Sequence, residues 1–184
     1  LAAAPHFAEH LLLFDTEHTP KPLELPKTDS TAALYDGLVH AIREYSTNLG
    51  INRAVIGLSG GIDSCLNACL LTAALGKENV LGINLPSRYN SDATRECAEK
   101  LAANLGIRYE VLPIQDMVDQ RAELLARLNL PLSEEMLENV QSRERGSGFL
   151  AAAAAAFGGA VICNGNKSEF TIGYATMYGD AIGY

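Results

Sequence analysis

Apolar positions along this chain alternate between helical spacing and short unbroken runs, and glycine or a cap-forming residue stands at most of the changes. Leu34, Leu38, Ile42 and Tyr45 recur at near-helical intervals between the cap-forming Asp29-Ser30-Thr31 and Gly50, which predicts a helix over about 31–48. The run Ala54-Val55-Ile56-Gly57-Leu58 predicts a short strand, and residues 65–75 a helix stopped by Gly76. A second strand over 80–85 follows, then a helix capped by Ser91 and ended after Leu105 by Gly106, and a third strand over 109–112. Helices are predicted over 117–128 and 134–157, the second entering the alanine run 151–156, whose small side chains allow close packing. Gly158-Gly159 ends it, and Ala160-Val161-Ile162-Cys163 reads as a further buried strand opening into a loop over 164–169. Strands that alternate with helices in this way imply parallel pairing, hence an α/β fold with a doubly wound parallel sheet and helices on both faces.

Composition agrees with one main domain. In 184 residues the chain is 48% hydrophobic with mean hydropathy +0.05, enough for one sizeable core. The formal net charge of −8 and pI near 4.9 leave no basic stripe for a nucleic-acid backbone. No apolar run approaches the roughly 20 residues of a membrane span, and a signal-peptide pattern is lacking, so a soluble cytoplasmic protein is expected. Residues 16–30, with Pro20, Pro22 and Pro26, read as a linker or surface strap. The four cysteines form no CxxC pair, and Cys65 and Cys69 are expected in the core; His6 and His10 stand four apart without a third ligand and are left outside the site.

Ligands of doubly wound sheets gather beyond the carboxyl ends of the strands, where three informative loops fall together. After the first strand comes Ser59-Gly60-Gly61-Ile62-Asp63-Ser64, a glycine turn into a helix start, which suits a nucleotide phosphate. It is neither GxxxxGK[ST] nor GxGxxG. Asp63 in such a cradle suggests an intervening Mg2+, or else a plain cap of the next helix. Glu169 could be a second metal ligand at the same edge. Asn139, Arg143 and Arg145 lie on one long predicted helix, Asn139 and Arg143 on one face, where an arginine reaching the cleft could hold a carboxylate or phosphate.

The glycine loop resembles the SGGxDS loop of the N-type ATP pyrophosphatases, with their adenine nucleotide alpha hydrolase-like fold. Narrower likenesses are Leu85-Pro86-Ser87-Arg88-Tyr89, the segment from Glu138 to Gly146, Gly165-Asn166-Lys167-Ser168-Glu169, and the segment from Gly173 to Asp180. Together these resemble the synthetase domain of the glutamine-dependent NAD+ synthetases, from about residue 30 to the last residue. The resemblance implies that ATP and deamido-NAD+ bind with Mg2+ and that the nicotinate carboxylate attacks the α-phosphate. Pyrophosphate leaves, and ammonia displaces AMP from the acyl-adenylate to give NAD+. It assigns ATP to Gly57, Leu58, Ser59, Gly60, Gly61, Asp63, Ser64, Arg88 and Asn164, the last where many relatives carry a threonine. Catalysis falls to Asp63 and Ser64, the metal to Asp63 and Glu169, and deamido-NAD+ to Asn139, Arg143, Glu169, Tyr174, Ala175, Thr176 and Met177.

The same resemblance makes residues 1–15 the tail of a nitrilase-like glutaminase domain that supplies ammonia from glutamine. Residues 31–184 would be a synthetase domain incomplete at its C-terminal end, and the protein is expected to form a homo-oligomer. Two alternatives stay open. A GMP synthetase-like amidase would share the Asp63 loop without the segments around Glu169 and Asp180, and a nucleotide-binding remnant would keep the cradle without turnover.

Overall fold

The computed structural model describes residues 3–13, 15, 17 and 29–184. Most of the expected linker over 16–30 therefore lies outside the described residues. Its last residue, Ser30, is already helical. Helix α1 spans Ser30–Leu49, with the Asp29 carboxylate accepting from the Thr31 and Ala32 N–H groups and Gly50 closing it in the left-handed conformation.

Strand β1 (Ala54–Gly57) leads into α2 (Ile62–Leu75), β2 (Val80–Asn84), α3 (Asp92–Leu105) and β3 (Arg108–Val111). Helices α4 (Gln115–Arg127), α5 (Glu134–Arg143) and α6 (Ala151–Phe157) precede β4 (Ala160–Ile162), and α7 (Lys167–Ile172) follows it. The four strands are parallel in the order β3-β2-β1-β4. Central β1 reads as an unbroken apolar run because it is covered on both faces. Ala54, Ile56 and Leu58 pack with Ala68 and Leu71 of α2 and Ala98 and Ala102 of α3. Val55, with Leu81, Ile83 and Val161, packs against Val118 of α4 and Leu150 and Ala154 on the other side. The expected doubly wound architecture is thus the one observed. Winding reverses between β1 and β4, and the crevice beyond their carboxyl ends is the switch point where such sheets bind ligands.

Two elements differ from expectation. The helix predicted over 134–157 is helical throughout, but Glu144–Leu150 is a π-helical turn between α5 and α6. The cause is a contact from a distant segment: the Ser147 N–H donates to the Tyr178 carbonyl at 3.1 Å, while the Ser147 hydroxyl donates to the Arg143 carbonyl at 3.1 Å. Gly146 allows this approach, since a Cβ there would collide with the Gly179 carbonyl oxygen. The second difference is α7, placed where a loop was expected. Its signal is a capping box: Asn166 accepts from the Ser168 and Glu169 N–H groups, and the Glu169 carboxylate reaches back to the Asn166 N–H.

At the far edge of β4, Tyr184 makes the bonds of a parallel neighbour, donating to Val161 O at 2.9 Å and accepting from Cys163 N at 2.8 Å. At the other end of the chain, the Phe7 ring lies against Gly37 and faces the His40 ring at 5.6 Å. The tail therefore touches α1.

Candidate active site

The cradle after β1 is held open by its own hydrogen bonds. Ser64 Oγ donates to the Gly61 carbonyl at 3.0 Å, so the 3.2 Å contact between the two hydroxyls has Ser59 donating to Ser64. Ser59 Oγ in turn accepts from Gly61 N at 3.2 Å. Gly60 adopts φ +88° and passes so close to α3 that a side chain would meet the Thr94 carbonyl. No side chain caps α2, so among the described residues the N–H groups of Ile62, Asp63 and Ser64 keep no hydrogen-bond partner at the positive end of the helix dipole. Those donors are what an anion needs.

The loop after β4 lies beside this cradle. Asn164 Nδ2 donates to the Gly57 carbonyl at 2.8 Å, and its Oδ1 accepts from Asn67 at 3.1 Å, tying β4 to β1 and α2. Asn166 Nδ2 donates to Asp63 Oδ1 at 2.9 Å while its main-chain N–H donates to Glu169 Oε2 at 3.2 Å. One asparagine thereby joins the two carboxylates expected to share the metal. Among the described residues no group of three His, Cys, Asp or Glu side chains could hold a metal. Two carboxylates suffice for a hard cation such as Mg2+, which keeps waters and completes its shell with substrate phosphates. The donor set therefore fits that ion.

A cleft of about 780 Å³ opens over both loops and is walled by α5, the π-turn and residues 173–182. Of the expected nucleotide residues it is lined by Gly57, Ser59, Gly61, Asp63, Ser64 and Asn164; of the expected deamido-NAD+ set, by Asn139, Glu169, Tyr174, Ala175 and Thr176. Asn139 Oδ1 accepts from Thr176 Oγ1 at 2.8 Å, and Ser142 hydrogen-bonds to Asp180, which also accepts from Thr176 N at 3.0 Å. These bonds fasten the 174–180 loop to α5.

Five expected residues do not line the cleft. Leu58 is wholly buried, its side chain in the core between β1, α2 and α3. Gly60 lies under α3. Arg88 is paired with Asp119 of α4, and its N–H donates to Gln115 at 3.0 Å. Arg143 is exposed and donates to the Met177 carbonyl at 3.3 Å, with the Met177 side chain in solvent. Arg145 lines the cleft instead, because Glu138, Gln141, Ser142 and Arg145 follow one another at i, i+3, i+4 and i+7 along the stripe that faces it. Its guanidinium donates to Leu85 O at 2.9 Å, Ser87 Oγ at 3.2 Å and Asn90 Oδ1 at 3.3 Å. Burial lowers the Arg145 pKa from its ordinary value, and nearby Asp180 opposes that shift. Of the two helix arginines that could reach the cleft Arg145 is the one that does, and Asn166 is the site residue that the expected set lacked.

The cysteines stand outside the cleft. Cys65 and Cys69 are only partly buried, Cys65 packing against the α2–α3 core, whereas Cys97 is exposed. Burial pushes the Cys65 thiol up, a shift that a hydrogen bond with Ser64 opposes. A raised pKa means less thiolate at a given pH, so iodoacetamide at pH 8 is expected to label Cys97 about tenfold faster than Cys65, read by peptide mass spectrometry.

The chain is similar to proteins of one kind. The glutamine-dependent NAD(+) synthetase of Thermotoga maritima is 41% identical over 164 residues, covering 89% of this chain and 28% of that protein. The protein of the same name from Synechocystis sp. is 40% identical over 193 residues, covering 100% of this chain and 34% of that one. The chain thus spans about a third of the length of the curated relatives it matches. Among solved structures, the glutamine-dependent NAD+ synthetase of Acinetobacter baumannii in complex with adenosine diphosphate superposes with a TM-score of 0.82 at 34% identity, covering 88% of this chain and 30% of that one. The NAD synthase family profile matches residues 34–183, and the chain belongs to the NAD synthase family.

Proposed function

We propose that this chain is the synthetase part of a glutamine-dependent NAD+ synthetase, converting deamido-NAD+ to NAD+ at the cost of ATP. The observation that carries the reading is the open α2 cradle with Asp63 beside Glu169 at the β1/β4 switch point, inside one cleft with the Asn139–Thr176 wall. The unpartnered N–H groups of Ile62, Asp63 and Ser64 receive the β- and γ-phosphates. Tyr174, Ala175 and Thr176, held to α5 through Asn139 and Asp180, seat the nicotinate end of deamido-NAD+. A nicotinate carboxylate oxygen bonds to the α-phosphorus, the bond from that phosphorus to the bridging oxygen breaks, and pyrophosphate leaves into the cradle. Ammonia then attacks the acyl carbon, AMP departs with the bond electrons, and the nitrogen loses a proton.

Mg2+, held by Asp63 and Glu169, supplies charge neutralisation of the polyphosphate. The protein's own share is positioning and hydrogen-bond stabilisation of the departing phosphate charge. Arg145 braces the 85–90 loop over this end of the cleft through its three acceptors. We place the glutaminase that feeds ammonia, with residues 3–13 as part of its tail, in the same polypeptide as this domain. A cytoplasmic homo-oligomer is the assembly that goes with it.

The test is substrate-dependent pyrophosphate release by the full-length protein. Release is expected with deamido-NAD+, ATP and Mg2+ together, and not with xanthosine monophosphate in place of deamido-NAD+. Turnover of the xanthosine nucleotide would sink the assignment in favour of a GMP synthetase-like amidase.

A further inference from the structure

We propose that Asn166 is a positioning residue that locks Asp63 and Glu169 into one frame and leaves an oxygen of each free to face a cation; this rests on the reading of those two carboxylates as the metal pair. Asn166 Oδ1 accepts from Ser168 N at 2.8 Å and Glu169 N at 3.3 Å. That end of the amide must be the oxygen, so the NH2 end is the one that faces Asp63 Oδ1 at 2.9 Å. The main-chain N–H of the same residue holds Glu169 Oε2 at 3.2 Å. Among the described residues, nothing hydrogen-bonds to Asp63 Oδ2 or Glu169 Oε1.

Two facing carboxylates repel each other and would swing apart without fixed donors. Asp63 lies in the first turn of α2 and Glu169 in the first turn of α7, and the bonds of Asn166 fix both to one point. Capping α7 needs only an acceptor, which serine, threonine or aspartate would provide as well. An amide caps the helix with its oxygen and donates across to Asp63 from a separate arm, whereas a hydroxyl's only donor sits on the same atom that caps. Serine and threonine carry no such second donor arm, and aspartate would turn an anion toward an anion.

The test separates the two roles. Binding of α,β-methylene-ATP, which resists cleavage at the α–β bond, is measured by calorimetry in Mg2+ and in EDTA for the full-length protein, Asn166→Ser and Asn166→Thr. In the unaltered protein Mg2+ is expected to tighten binding. Both variants are expected to lose about tenfold of that Mg2+-dependent gain, with affinity in EDTA within about twofold. Their melting temperatures should stay close to the parent because the hydroxyl still caps α7. If the variants keep the full gain, Asn166 is a helix cap and the proposal is overturned. Loss of fold in both variants would also overturn it, by making the residue's role structural. If the unaltered protein gains nothing from Mg2+, the metal reading of Asp63 and Glu169 fails first and the proposal falls with it.

Discussion

Asp63→Asn is expected to slow pyrophosphate release by about a thousandfold, an effect of roughly 4 kcal/mol on the barrier. The change keeps the side chain's size, and the new amide oxygen can still accept from Asn166 Nδ2, as Asp63 Oδ1 does at 2.9 Å. What disappears is the negative charge at the cradle's mouth. The fold should feel this little, since a carboxylate in the first turn of a helix contributes only about 0.3–1 kcal/mol through the dipole. A melting temperature within a few degrees of the parent, with turnover nearly gone, separates chemistry from stability. Stopped-flow detection of pyrophosphate under saturating ATP and deamido-NAD+ measures it. Undiminished release in this variant would remove Asp63 from the metal site and leave it as a helix-start residue only.

The parts of the fold that were legible in the sequence are those whose signals are local. Glycines 50, 76 and 106 stand where helices stop, and the apolar runs at β1, β2 and β4 stand where buried strands lie. The cradle was legible too, because a strand, two glycines and a helix start occupy consecutive positions. The interruption of the α5–α6 helix was not. It arises from Tyr178 and Gly179 pressing on Gly146 and Ser147, a contact that no 3.6-residue pattern contains. Asn139 and Arg143 share a face on an ideal helix, yet the stripe that faces the cleft runs through Glu138, Gln141, Ser142 and Arg145, and Arg143 turns outward to the Met177 carbonyl. Arg88 illustrates a different limit. Its loop was placed well, but whether its head meets a ligand or a neighbouring carboxylate depends on Asp119, which a sequence does not bring beside it. Asn166 could have been found: asparagine followed three residues later by glutamate is a capping-box signature, and it marked the start of α7.

Gly60→Ala is expected to be the most destabilising single change in the cradle, costing about 3 kcal/mol or more in urea unfolding. Two costs add there. Alanine at φ +88° occupies the left-handed region, worth about 1–2 kcal/mol, and its methyl group would strike the Thr94 carbonyl, which α3 cannot withdraw without moving its first turn. Gly50→Ala supplies the control, because Gly50 also has positive φ, +69°, while nothing lies within 4 Å of a Cβ there. That variant should show the conformational cost alone, about 1 kcal/mol. The difference between the two is then the energy of the contact between the glycine loop and α3. A large difference means that the cradle's shape is set by α3 pressing on Gly60, so the surviving fraction of Gly60→Ala should also bind α,β-methylene-ATP more weakly than Gly50→Ala does. Equal destabilisation by the two variants would show that the loop is shaped by its own Ser59–Gly61–Ser64 hydrogen bonds and that α3 merely lies beside it.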